Sequence, residues 1–292
     1  MLRVFFLLLI GSGLPLRADQ EEPRILILGD SIAYNCGWTV YVESWIRAQP
    51  GLARVTIVNA ALPGETASGL SEPGHAGGAF LRPDVHERLE RALALFKPTL
   101  VLLCYGMNDG LYLPSDPERT RAFRDGQLRL HAAGVKAGAK VVHVTPPLFG
   151  PDMKVPPVYD GVLETYAQWL VSQRPAGWLV VDVRPSLREA VAAAKRADPK
   201  FVYAKDNLQP GSEGHLFIAQ AVWAQLAPMM RWKSDASIGD PAKWRLLQQS
   251  AIVLRDAWVM KIGHKRPGVA AGMALPLAFA RSAALLKEYF KS

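Results

Sequence analysis

Short aliphatic runs recur along the chain, separated by stretches with helical spacing. The runs are Ile25–Leu28, Val55–Val58, Leu100–Cys104, Val141–Val144 and Leu179–Val183. A run of large aliphatics without polar alternation predicts a strand buried on both faces. Five such runs with helical patterns between them predict βαβ units and an α/β fold on a five-stranded parallel sheet. Pro83 is expected to open a helix with Val85, Leu89, Leu93 and Phe96 on one face. Val162, Tyr166 and Leu170 repeat that spacing in a second helix. A third is expected from about Ser212 to Leu226, with Phe217, Ala221 and Ala224 on one face, Ser212 as N-cap and Pro228 marking its end.

The pattern changes at both ends. Met1-Leu2-Arg3 is a basic start, Val4 to Ile10 an apolar run, and Ala18 a small residue at a cleavage point. Residues 1–18 therefore read as a signal peptide, and the mature protein is expected to be exported, periplasmic or extracellular. The apolar run is too short to span a bilayer. After Trp232, Asp240-Pro241 opens a helix to about Lys261, in which Trp244, Leu247, Ala251, Leu254 and Trp258 share a face. The segment Gly263-His264-Lys265-Arg266-Pro267-Gly268 breaks it, and a last helix is expected from about Pro276 to Phe290. Residues 19–231 read as one domain and 232–292 as a helical C-terminal appendage.

Charge sharpens that division. Residues 19–231 are balanced, whereas 232–292 carry 10 Lys/Arg against 4 Asp/Glu. An excess of this size favours weak contact with an anionic surface, polysaccharide or lipid, and it is also what a solvated helical face looks like. No nucleic-acid partner is expected. The two cysteines, Cys36 and Cys104, form no disulfide framework; an oxidising compartment would allow them to pair, but their places in a strand and near the start of a helix read as separate buried thiols. There is no C-x-x-C, no H-E-x-x-H and no Gly-Lys-Ser/Thr phosphate loop, so no metal or cofactor is expected.

The candidate chemistry lies just past the strands. Gly29-Asp30-Ser31 ends the first, and Gly29 permits a sharp turn there. Asn59 to Gly64 follows the second, opening a long loop, Pro63 to Leu81, that holds five glycines and His75. Gly106-Met107-Asn108-Asp109 follows the third, and the Lys154–Val158 loop is expected over the same end of the sheet. Beyond the fifth strand and a helix come Asp206, Gln209 and His215. In a parallel sheet the strand ends meet at one edge, where α/β folds bind ligands. Ser31, the Gly64 N–H and the Asn108 amide then supply a nucleophile and oxyanion donors, the parts acyl transfer requires.

On these blocks the chain resembles the SGNH (GDSL-like) hydrolases, a family of serine esterases and lipases. Gly29-Asp30-Ser31-Ile32, Gly64 and Gly106-Met107-Asn108-Asp109 look like its first three blocks, in order and on matching strands, over about residues 24 to 229. The resemblance implies a flavodoxin-like three-layer sandwich. It also implies Ser31 as nucleophile and an oxyanion hole of the Ser31 and Gly64 N–H groups with the Asn108 side chain. The substrate it implies is a small acyl ester or an acylated carbohydrate.

One block departs. Where the family has an Asp, two residues and a His, this chain reads Asp206-Asn207-Leu208-Gln209. The acid is in place, but a carboxamide has no pKa suited to taking and returning the serine proton. His215 is the leading alternative base, followed by His75. His86 reads as a surface residue and His143 as a satisfied core residue. The expected activity is serine ester hydrolysis by acyl-enzyme chemistry. The alternative is a weakened or inactive hydrolase scaffold that binds a ligand.

Overall fold

The structure, a computed structural model, describes residues 23–154, 157–237 and 239–291. The expected signal peptide and Pro156 lie outside the described residues. The chain begins with β1 (Arg24–Gly29), α1 (Ser31–Tyr34), α2 (Trp38–Arg47) and β2 (Thr56–Asn59). It continues through α3 (Leu89–Phe96), β3 (Leu100–Cys104), α4 (Pro117–Lys136), β4 (Lys140–Val144), α5 (Val158–Val171) and β5 (Leu179–Val181). Four helices follow: α6 (Arg184–Ala197), α7 (Ser212–Met229), α8 (Pro241–Ile262) and α9 (Leu275–Lys291).

All strand pairs are parallel, in the order β2-β1-β3-β4-β5, the flavodoxin-like arrangement the sequence predicts. Alternation along β1 divides the interior in two. Ile25 and Ile27 face a core completed by Trp38, Val42 and Trp45 of α2, Tyr166 of α5, Leu187 of α6 and Trp223 of α7. Leu26 and Leu28 face the other, with Val58, Leu89, Phe96 and Leu130. The strands read as unbroken aliphatic runs because helices cover both faces.

Three local readings are corrected. The helix expected from Pro83 is interrupted: a single 3₁₀ turn, Val85–Glu87, precedes α3, and Arg88 between them has φ −123°, outside the helical range. The break turns the wholly buried Arg88 guanidinium onto Glu65, which it grips through two bonds of 2.6 Å. Ser212 is the first helical residue of α7 rather than its cap; Gly211 caps it with no side-chain bond. Pro228 lies inside the last turn of α7, which runs one residue beyond it.

The C-terminal helices fall within a residue of their expected bounds. α8 does more than decorate the domain. Trp258 stands edge-on to Phe96 with ring centroids 5.1 Å apart, and Ala257, Val259 and Ile262 join the second core. Higher on the same helix, Leu247 and Ala251 pack on Cys36 and Val40. Cys36 and Cys104 are both buried and unpaired. No helix among the described residues is long and apolar enough to cross a membrane.

Candidate active site

The order β2-β1-β3 puts a switch point between β1 and β3, because the chain leaves these neighbours in opposite directions. Gly29 ends β1 opposite Cys104 of β3. A β-carbon on Gly29 would lie 2.8 Å from the Cys104 carbonyl oxygen and 3.1 Å from Cβ of Ala33, so only glycine makes this turn. Asp30 then caps α1: its Oδ1 accepts the Ile32 N–H at 2.9 Å. Burial pushes the Asp30 carboxyl up to about 7. Ser31 heads the helix, where backbone N–H groups have no intrahelical partner.

The loop after β2 runs on beside β1. Ala60 and Leu62 donate to the carbonyls of Ile27 and Gly29, at 2.8 and 2.9 Å, before the chain turns at Gly64 with φ +81°. The β3 loop is stitched to it. Asn108 Nδ2 donates to the Glu65 carbonyl at 3.2 Å, and the Ser68 N–H donates to Asp109 Oδ1 at 2.7 Å. Burial pushes the Asp109 carboxyl up to about 6. The Asn108 side chain is held in one orientation, because its Oδ1 receives both Arg82 Nη1 at 3.0 Å and the Tyr112 hydroxyl at 2.9 Å. Arg82 is itself gripped by Glu72, which also takes His75 Nδ1 at 3.0 Å. The His75 Nε2 faces Gly64, 3.8 Å from where a β-carbon would stand.

The fourth arm is a tight turn. Asp206 Oδ1 accepts the N–H groups of Leu208 and Gln209, at 2.9 and 2.7 Å, with Asn207 between them at φ +64°. The turn delivers Gln209 onto the serine: Nε2 donates to Ser31 Oγ at 2.8 Å. The amide's oxygen is engaged at the other end, where Asn35 Nδ2 donates to Gln209 Oε1 at 3.1 Å. The hydrogen bond at Oγ thus runs opposite to that of a working base. A base accepts the serine proton; here an N–H occupies an Oγ lone pair instead.

His215, the first alternative, is turned to another task. Its Nδ1 accepts the Trp38 N–H at 3.4 Å, and a β-carbon on Gly37 would collide with the ring. Burial pushes its pKa down to about 4. It locks α7 to the start of α2. His143 is the satisfied core residue expected, bonded to Gln127 at 2.9 Å and stacked on Trp178. His86 is half-buried rather than a surface residue, and its Nε2 meets the Ala67 carbonyl at 2.9 Å. The structure therefore brings together Ser31, Gly64, Asn108, Asp206 and Gln209, and leaves His215 behind a turn. Sequence reading missed Arg82, Tyr112 and Asn35. None belongs to a motif; Arg82 and Asn35 act through partners distant in sequence, whereas Tyr112 reaches back four residues to Asn108. No group of three or more His, Cys, Asp or Glu able to hold a metal ion occurs among the described residues.

Comparison with known proteins bears on the family and the fold. Residues 27–216 match the GDSL-like Lipase/Acylhydrolase family. No curated protein sequence matches the chain. Among solved structures, a catalytic mutant of Axe2, an acetylxylan esterase from Geobacillus stearothermophilus, superposes with TM-score 0.52 at 18% identity, over 74% of this chain and 97% of that one. The acetyl xylan esterase AlAXEase gives TM-score 0.54 at 16% identity, over 69% and 98%. A GDSL-like lipase from Parabacteroides merdae gives 0.52 at 14%, over 70% and 96%. At such identities these likenesses speak for the fold alone. The family match spans most of the chain and includes the Gly29-Asp30-Ser31 turn, so this chain belongs to the GDSL-like lipase/acylhydrolase family.

Proposed function

We propose that the chain is an exported serine esterase acting on small O-acyl esters of the acetyl type, carried on carbohydrate. The observation that carries this reading is the convergence of Ser31 with the Gly64 turn and the Asn108 amide at the end of β1. In the proposed reaction the ester carbonyl oxygen lies among the Ser31 N–H, the Gly64 N–H and Asn108 Nδ2. Ser31 Oγ attacks the carbonyl carbon, and the negative charge of the tetrahedral intermediate is met by these three donors. Collapse breaks the bond to the leaving oxygen, which departs as the alcohol with the proton lost by Ser31 Oγ, carried through solvent because Gln209 cannot take it. Water then attacks the acyl-serine, releasing the free acid and restoring the serine hydroxyl. The acetyl and carbohydrate assignments draw on the acetylxylan esterases among the structural relatives, and export on the N-terminal sequence.

Gln209 sets the rate expected of this site. Losing the base of a serine triad costs about 10⁶ in turnover, leaving roughly 10³–10⁴ over water from the oxyanion hole and binding. The Gln209–Ser31 bond favours a second reading, a weakened hydrolase that chiefly binds its ester. Hydrolysis of a chromogenic acetate ester by the wild-type protein beside Ser31→Ala separates the two. Turnover abolished by the substitution supports the esterase. Equal background in both, with no labelling of Ser31 by a fluorophosphonate, supports the binder.

A further inference from the structure

The family match ends at residue 216, so α8, α9 and the loop joining them lie outside it. From that segment three side chains reach backbone carbonyls flanking the site. Arg255 Nη1 donates to the Tyr34 carbonyl at 2.7 Å, with its guanidinium 3.8 Å above the Tyr34 ring. Gln248 Nε2 donates to the Cys36 carbonyl at 3.3 Å. Tyr34 is the last residue of the helix that Ser31 heads, so these contacts secure the nucleophile's turn from behind. On the opposite side, Arg266 Nε donates to the Pro63 carbonyl at 3.2 Å.

The Pro63 contact matters because of what shares its peptide plane. The Pro63 carbonyl and the Gly64 N–H are the two ends of a single trans peptide. Fixing the oxygen fixes the direction of the N–H, which points the other way. A charged donor on the carbonyl also polarises the amide and strengthens its N–H as a donor. The same guanidinium lies 5.2 Å from the ring centroid of Phe80, at the far end of the Gly-rich loop, and Phe80 stands edge-on to His75 at 5.3 Å. One side chain thus joins both ends of the loop that carries Gly64.

We propose that Arg266 is a positioning residue for the oxyanion hole, aiming the Gly64 N–H through the Pro63 carbonyl, and that the C-terminal segment is thereby a working part of the site. Its kinetic consequence rests on the esterase reading; its structural consequence does not.

The test uses full-length Arg266→Ala and Arg266→Lys. The expected result for Arg266→Ala is a fall in Ser31-dependent kcat of about 10- to 100-fold on a chromogenic acetate ester, with KM moving less than about threefold. Amide exchange across residues 63–81 should quicken by about tenfold or more, with Tm within a few degrees of wild type. Arg266→Lys, which keeps a charged donor but not the stack on Phe80, should recover part of both effects. A kcat within about twofold of wild type would overturn the proposal, as would a raised KM at constant kcat or losses that follow Tm alone. If wild type and Ser31→Ala hydrolyse the ester equally, the esterase reading fails. Exchange in residues 63–81 then decides alone, and unchanged exchange in Arg266→Ala rejects the role of Arg266.

Discussion

Asn35 Nδ2 donates to Gln209 Oε1 at 3.1 Å, so that Asn35 and Ser31 hold opposite ends of one carboxamide. With the amide oxygen committed to Asn35, the nitrogen faces Oγ. The serine therefore lies against a proton donor at the point where catalysis calls for an acceptor.

An imidazole at position 209 would reverse that polarity. Gln209→His should raise Ser31-dependent hydrolysis of a chromogenic acetate by about 10²–10⁴-fold, the usual worth of a placed general base. The gain should appear as the pH rises through about 6.5, where an unperturbed imidazole becomes neutral. An unchanged rate would show that the serine proton already leaves by another route.

Helix α8 is part of the interior, and its removal should be felt throughout the domain. Trp258→Ala is expected to cost about 3–5 kcal/mol in urea unfolding, since it empties the space against Phe96. Deleting residues 240–292 should abolish a cooperative transition. A truncated chain that unfolds like wild type would show that the second core closes without α8.

Buried carboxyls give the protein a stability that weakens as pH rises. In the folded state burial holds the Asp109 carboxyl near 6, against the ordinary 3.8. Between those values the folded chain binds more protons than the unfolded one, so this contribution is complete below about 3.8 and is lost as pH rises through about 6. Asp30, raised to about 7, acts in the same direction. Asp109→Asn keeps an acceptor for the Ser68 N–H and should flatten the fall in Tm between about pH 4 and 6. An equally steep fall would show that Asp109 is ionised in the folded protein.

The two thiols should be silent. Burial pushes Cys36 up to about 11 and Cys104 well above the ordinary thiol range. A maleimide should leave native protein unlabelled and modify both residues in denaturant, with Tm unaffected by reductant. Labelling at native pH would place either thiol at the surface.

Much of this architecture was legible in the sequence because it rests on local pattern. The aliphatic runs mark strands covered on both faces, and Gly29-Asp30-Ser31 marks a turn that no side chain at Gly29 would permit. The fates of the histidines were not legible. His215 is set by where α7 meets Gly37 and Trp38, a contact between segments far apart in sequence. Arg82 acts on the Asn108 oxygen through the same kind of distant meeting, while Tyr112 reaches it from four residues on, in a loop with no periodic pattern to read. For α8, an amphipathic stripe reads alike whether the helix rests on a domain or closes it. The Trp258–Phe96 contact and the burial of Ala257, Val259 and Ile262 show which applies here.

That closure also sets an order in time. Ala257, Trp258 and Ile262, from near the end of the chain, cover Leu26 and Val58, from near its beginning. As the chain emerges from its N-terminus, the first core has nearly all its parts once α7 is made, while the second stays open until α8 follows. Closing such a long loop slows folding. Until then the part of the sheet that α8 will cover is an adhesive surface, and the newly made chain is at its most vulnerable to aggregation between the making of α7 and that of α8.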